Sequence, residues 1–152
     1  MPIANLITAA ARPAPPTSKR RRLGAIALGS FLAFAGTSHL TFAREEFQAQ
    51  VPGWVPVDPD VVVLLSGVAE LSLGAALILL RRRRVPVGLA AAAFFVAIFP
   101  GNISQYVTHT DAFGLDTDRA RLVRLFFQPL LVIWALWSTG AWKAVRAALK
   151  KG

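Results

Sequence analysis

Four long apolar runs, separated by short polar segments, dominate the pattern of this chain. The second run, 61–80, is long enough for a helix of about 30 Å, the thickness of a bilayer's hydrocarbon core. The runs predict transmembrane helices over about 23–43, 61–80, 85–107 and 119–142. A composition of 55% apolar and only 16% charged residues agrees with membrane burial. We therefore predict an all-α fold, an integral membrane four-helix bundle.

The segments outside these runs predict the domain limits. Residues 1–18 are rich in alanine and proline and are expected to form a disordered cytoplasmic tail, followed by a membrane domain over 19–146. Residues 147–152 are expected to form a basic cytoplasmic tail. Residues 44–60 contain three prolines and predict an external loop. The basic block 19–22 before the first run also fits a signal peptide, but that run is longer than the usual apolar region, which favours a retained helix.

Basic and acidic residues are distributed unequally between the connecting segments. Thirteen of the 17 lysines and arginines lie in the N-terminal segment, the run Arg81–Arg84 and the C-terminal segment, which contain no acid. The two other loops carry seven of the eight acids. The positive-inside rule then places both termini in the cytoplasm, N-in and C-in. Topology thus explains the +9 charge, and we predict a multi-pass protein of the bacterial inner (plasma) membrane with no nucleic-acid partner.

Polar residues recur in the outer half of every predicted helix. Glu70 lies at the centre of its run, where a carboxylate costs roughly 2.5–3.5 kcal/mol and needs a partner or a wet cavity. Pro100 and Pro129 are predicted to kink their helices and to free backbone carbonyls at similar depth. Arg121 is expected at the interface. The candidate ligand- or proton-binding residues are His39, Glu70, Asn102, Arg124 and Gln128.

Each candidate also has a structural interpretation. Glu70 and Arg124 would form an ion pair that ties the second helix to the fourth. His39 would be a packing residue with a hydrogen bond, and Asn102 and Gln128 would be interhelical hydrogen-bond partners. The chain contains no cysteine, which excludes thiol catalysis and thiolate metal ligands. We predict no metal site.

Five sequence segments occur in order along the four runs: FAGTSHLTF (34–42), VPGWVP (51–56), SGVAEL (66–71), FPGNI (99–103) and R-x-x-R-x-x-x-Q-P-L (121–130). In this order and spacing they resemble the DoxX family of small bacterial four-helix membrane proteins, over roughly residues 23–142. Gly101 departs from the family pattern, where alanine is frequent. Carried across, the family pattern points to His39, Glu70, Pro100, Asn102, Arg124 and Gln128.

The resemblance implies a limited set of functions. Some DoxX relatives are linked with thiosulfate:quinone oxidoreductase complexes and other membrane redox assemblies, which implies a quinone ligand and a membrane redox partner protein. Without cysteines, autonomous thiol chemistry is not expected. We therefore expect an accessory or quinone-proximal subunit without an intrinsic cofactor, rather than an autonomous enzyme. The alternatives are a non-catalytic assembly or chaperone-like membrane protein and, less favoured, a small-molecule transporter. The oligomeric state is left open.

Overall fold

The computed structural model describes residues 2–12, 14 and 16–150, which form helices and no strand. Four of the helices are long and apolar enough to cross a membrane: α2, α4, α5 together with the turn before it, and α6. The all-α prediction is therefore confirmed for this part of the chain. The helices are α1 (Pro2–Ala11), α2 (Lys19–Leu40), α3 (Arg44–Gln48), α4 (Pro59–Leu79), α5 (Arg84–Val107), α6 (Asp118–Thr139) and α7 (Ala141–Leu149), with a 3₁₀ turn at Arg81–Arg83.

Local capping explains where the long helices begin and end. The Ser18 side chain accepts a hydrogen bond from the Arg21 backbone at 3.3 Å, so α2 begins about four residues before the predicted apolar run. The Thr117 hydroxyl caps α6 in the same way. Gly140 adopts a left-handed backbone with φ 75°, which ends α6 and separates it from α7. The predicted fourth run, 119–142, is thus two helices.

The structure differs from the sequence predictions at both ends of the chain and in one loop. Most of the tail predicted to be disordered forms α1, which packs against α7. Part of the predicted C-terminal tail is the last turn of α7. Helices α1 and α7 are both rich in alanine, the best helix former, and they pack against each other. The predicted external loop contains α3, which is complete before Pro52 can interrupt it.

Helices α2 and α4 lie side by side in opposite directions, and glycines allow their close approach. A Cβ atom built on Gly36 would lie 2.7 Å from the carbonyl oxygen of Gly67, and one on Gly29 would lie 2.7 Å from that of Gly74. Only glycine leaves room for such backbone contact, as is common between membrane helices. The second long pair is α5 and α6. These contacts fix the position of α2 relative to α4. Side chains on the facing sides of the two helices therefore have defined positions relative to one another.

The two ends of the bundle differ in polarity. We call the end with the Arg81–Arg83 turn the turn end, and the end with α3 and the α5–α6 loop the loop end. The buried apolar core includes Leu28, Leu77, Val85 and Ala141, which lie towards the turn end. Most of the larger buried polar side chains lie in the middle of the bundle or towards its loop end: His39, Glu70, Asn102, Gln105, Arg121 and Gln128. Only the small hydroxyl residues Ser138 and Thr139 are buried polar groups at the turn end among the described residues.

Candidate functional site

A cavity of about 600 Å³ opens within the loop end of the bundle. The structure places all five candidate residues of the sequence analysis on its walls, together with Pro100. Pro129 is exposed and does not line the cavity, although both prolines lie inside continuous helices. The remaining walls are largely apolar and include nine aromatic side chains: Phe31, Phe34, Phe42, Phe47, Trp54, Phe94, Phe95, Phe113 and Phe127. The cavity therefore combines a mainly apolar wall with a small number of polar groups.

Glu70 and His39 form a buried contact between a carboxyl group and an imidazole ring in the cavity wall. Their side chains are 6% and 10% exposed, and Nδ1 of His39 lies 2.8 Å from Oε2 of Glu70. The same nitrogen lies 2.9 Å from the carbonyl oxygen of Ala35. Two acceptors so close to Nδ1 indicate that this nitrogen carries a proton. The geometry does not complete a hydrogen bond to Glu70, and Oε2 has no hydrogen-bond partner among the described residues.

Helix packing holds the His39 ring in place. The backbone at Gly67 comes so close that an added Cβ would lie 2.9 Å from the His39 Cβ. On its other side the ring stacks on Phe47 of α3, with ring centroids 3.3 Å apart and planes 14° from parallel. His39 therefore has little freedom to turn away from Glu70.

Asn102 and Gln128 join α5 to α6 at the cavity wall. The Asn102 side-chain amide donates to Oε1 of Gln128 at 3.0 Å, and Gln128 Nε2 donates to the carbonyl oxygen of Phe95 at 2.7 Å. The interhelical hydrogen bond that the sequence analysis gave as the structural interpretation is thus present. Both residues still line the cavity, so a role in ligand binding stays a prediction.

Arg124 reaches the loops rather than Glu70. Its Nη2 donates to Oε1 of Gln50 at 3.0 Å, and Gln50 Nε2 donates to Oε1 of Gln105 at 2.9 Å. Gln105 in turn donates to the carbonyl oxygen of Thr110 at 3.3 Å. The Arg124 guanidinium also lies 5.0 Å above the centre of the Phe113 ring, a cation–π geometry. This chain of contacts ties both loops to the helices beneath them.

The ion pair considered between Glu70 and Arg124 is therefore not formed. Helix α4 packs against α2, so the carboxylate of Glu70 faces His39. Helix α6 packs mainly against α5, and its Arg124 side chain meets the α3–α4 and α5–α6 loops instead. The depth of a polar residue along its helix can be read from the sequence, but it does not show which neighbouring helix that residue faces.

Phe113 and Phe47 form an aromatic cover over the cavity that the sequence analysis did not identify. Their rings meet at an angle of 60° with centroids 4.6 Å apart. Phe113 adopts a left-handed backbone with φ 55°, uncommon for a bulky residue. Its backbone N–H donates to the Glu46 carboxylate, which helps to hold this conformation. Aromatic residues at 47, 54 and 113 within otherwise polar loops were the signal that could have indicated this cover.

Arg121 lies outside the cavity, in an ion cluster at the loop end. Its side chain is 5% exposed and pairs with Asp111 and with Asp118, the latter at 2.8 Å. His109 lies 2.7 Å from the same Asp118 carboxylate. The residue expected at an interface thus has a buried side chain that pairs with two exposed acids. Among the described residues, no group of three or more His, Cys, Asp or Glu side chains is arranged to hold a metal ion.

Together, these features define an all-helical protein with four candidate membrane-spanning helices and an aromatic cavity around a buried carboxylate. The chain belongs to the family described as a domain of unknown function, DUF8561, whose sequence model matches residues 28–139. The match begins within α2 and ends with α6, so it includes all the cavity residues named here. No curated protein and no solved structure matches the chain. The resemblance to the DoxX family stays a prediction.

Proposed function

We propose that this protein is a multi-pass protein of the bacterial inner membrane that binds a small amphipathic ligand in its loop-end cavity. It would serve there as an accessory or quinone-proximal subunit of a membrane redox complex, with a membrane quinone as the leading ligand. One observation carries the proposal. Oε2 of Glu70 is buried against the cavity; His39 Nδ1 lies 2.8 Å away but completes no hydrogen bond, and no other hydrogen-bond partner is found among the described residues. Buried polar groups normally have a partner, so this oxygen favours a ligand that supplies one.

Membrane placement is supported by the outer surface of the bundle. Large apolar side chains are exposed on all four long helices, among them Phe34, Leu65, Val96 and Phe126. Water would penalise such a surface, whereas lipid would not. The four arginines at the turn end and the acids at the loop end favour a cytoplasmic turn end with both termini inside. The cavity would then open within the outer leaflet.

Single cysteines provide a direct test of this orientation, because the natural chain has none. Ala49→Cys and Asp116→Cys, both exposed at the loop end, should react with a membrane-impermeant thiol reagent on intact cells. Ala11→Cys, exposed on α1, should react only after lysis. Reaction of all three variants in detergent is the control. Labelling of Ala11→Cys from outside an intact cell would contradict the N-in topology.

The chemistry of the walls favours a ligand with a polar head and a flat apolar body. A volume of about 600 Å³ is within the range of small-molecule sites. Aromatic rings can stack on a planar ring, and Arg124 can donate to a carbonyl oxygen. Glu70 can accept a hydrogen bond when ionised and donate one when protonated. This combination suits a quinone, which has carbonyl oxygens, and its reduced form, which has hydroxyls.

In this proposal the protein's own side chains bind the head group and handle protons, while electrons come from a partner polypeptide. Glu70 and His39 would pass a proton to or from the head group. Asn102, Gln128 and Arg124 would keep the polar wall in place through their hydrogen bonds. The redox association comes from the DoxX resemblance, which also supports a membrane redox partner. No cysteine is available for thiol chemistry within this chain.

Purification in mild detergent followed by lipid extraction tests the ligand. We expect the wild-type protein to retain quinone above the level of bulk membrane lipid, as measured by liquid chromatography and mass spectrometry. Glu70→Leu removes the unpartnered acceptor and should lower retained quinone at least tenfold, because hydrogen bonds to charged groups contribute about 1.5–3 kcal/mol. Ser72→Ala, two positions along α4 and exposed, is the matched control and should retain it.

Two results would decide against the quinone proposal. If wild type and Glu70→Leu retained the same amount of quinone, the cavity would not be its binding site. If a partner protein co-purified in constant ratio while no small molecule was retained, the assembly or chaperone-like alternative would be supported instead.

A further inference from the structure

A second cavity lies at the turn end of the bundle and shares no residue with the loop-end cavity. Its volume is about 430 Å³, and it lies where α2 begins and α4 ends. Its polar walls come from Thr17, Lys19, Arg22, Arg81, Arg84 and Ser138. We call it the basic cavity. Nothing in the proposed function uses it.

The charged side chains that line the basic cavity are all positive. Four of its lining residues are lysine or arginine, and none of the described residues that line it is an aspartate or glutamate. Arg81 lies close enough to Arg22 to oppose its charge. The N-terminus of α2, which begins at Lys19, adds a partial positive charge to the same region. The cavity is therefore electrostatically suited to an anion.

The Arg22 guanidinium and the Thr17 hydroxyl provide donors to the wall of this cavity. The Arg22 guanidinium is anchored on the end of α4, where it donates to the carbonyl oxygens of Ile78 at 2.6 Å and Leu77 at 3.4 Å. Its Nε atom is buried and has no hydrogen-bond partner among the described residues, and the same is true of the Thr17 hydroxyl. A fixed charged donor and a hydroxyl, both buried without partners, indicate a ligand with acceptor oxygens.

We propose that the basic cavity binds a phosphate-bearing anion, supplied by the headgroup of an anionic phospholipid in the cytoplasmic leaflet. Phosphate oxygens would satisfy Arg22 Nε and Thr17, and the negative charge would offset Lys19 and Arg81. Leu23, also in the wall, is 65% exposed, and Leu79 at the end of α4 is 73% exposed. These leucines offer an apolar surface for acyl chains directly beside the charges. Free phosphate would meet the same donors but would gain nothing from the leucines.

Native mass spectrometry and thermal unfolding of delipidated protein in neutral detergent test the site. The probes are phosphatidylglycerol, phosphatidylcholine and inorganic phosphate. The double variant Lys19→Gln with Arg81→Gln removes two charges that line the cavity and should weaken phosphatidylglycerol binding at least tenfold. The matched control, Arg20→Gln with Arg82→Gln, removes two neighbouring charges outside it and should change binding less than about twofold. All four side chains are exposed, so neither variant opens the core.

The outcomes separate the sources of the phosphate. Stabilisation by phosphatidylglycerol but not by millimolar inorganic phosphate supports the lipid. Equal stabilisation by inorganic phosphate supports the phosphate site and assigns it to a free anion. Equal losses in the two double variants would show non-specific attraction to a basic surface and overturn the proposal. Thr17→Val gives a second check without a charge change: it should weaken phosphatidylglycerol binding several-fold, and unchanged binding would count against the site.

Discussion

Gly36→Leu should destabilise the bundle by at least about 3 kcal/mol, at the upper end of what overpacking usually costs. A Cβ at this position would lie 2.7 Å from the Gly67 carbonyl oxygen and 2.9 Å from the Leu71 backbone nitrogen, so the clash is with backbone rather than with a mobile side chain. The only relief is to move α2 away from α4, which would also separate Gly29 from Gly74. The expected result is a large drop in the unfolding midpoint in mixed micelles.

The matched control is Gly53→Ala, because a Cβ at Gly53 meets nothing within 4 Å. It should change the midpoint little. Gly36→Ala should lie between the two, since it adds only the Cβ atom and gains about 1 kcal/mol of helix propensity over glycine. A Gly36→Leu protein as stable as wild type would show that α2 and α4 do not pack as closely as the structure has them.

The helices themselves could be predicted well because each apolar run is a local signal. The hydrophobic pattern gave four long helices at nearly the observed positions, and the errors came from caps. Ser18 starts α2 among charged residues, and Gly140 divides the last run. No apolar periodicity marks either feature. Helix α1 was not predicted because its segment has no long apolar periodicity, and its packing partner α7 lies at the other end of the chain.

Part of the site was predictable and part was not, for a geometrical reason. Depth along each helix can be counted from the sequence, so the five polar candidates could be assigned to one region of the bundle. The orientation of each helix about its own axis, and the identity of the helices that pack against it, do not follow from sequence position. Depth alone therefore suggested Arg124 as the partner of Glu70, whereas the packing of α4 on α2 places Glu70 beside His39.

The loops were the least predictable part of the site. Gln50 bonds to Gln105, 55 positions away, and to Arg124, 74 positions away. Such contacts depend on how the finished helices bring the loops together, and no local pattern encodes them. The polar chain from Arg124 to Thr110 and the aromatic cover of Phe47 and Phe113 could be found only from the fold.

Glu70→Gln should leave the fold nearly intact and abolish ligand-dependent function. Glutamine keeps the shape of the side chain but cannot carry charge or exchange a proton at physiological pH. Glu70 Oε2 completes no hydrogen bond among the described residues, although His39 Nδ1 lies 2.8 Å away. Loss of that contact is partly offset by the lower desolvation cost of a neutral amide, so the change should cost no more than about 1–2 kcal/mol. Ligand affinity should fall several-fold, since a charged hydrogen bond of about 1.5–3 kcal/mol is replaced by a neutral one of about 0.5–1.5 kcal/mol.

Double-mutant cycles on ligand-free protein separate this role from a structural one. Effects on the unfolding free energy of Glu70→Gln and Arg124→Gln should add within about 0.5 kcal/mol, because the two side chains do not pair. Glu70→Gln and His39→Gln should instead couple by roughly 0.5–3 kcal/mol, because Nδ1 lies 2.8 Å from Oε2. Strong coupling between Glu70 and Arg124 would instead support an ion pair between α4 and α6. Full ligand binding in Glu70→Gln would remove the functional role of the carboxylate and leave His39 and Glu70 as a packing pair between α2 and α4.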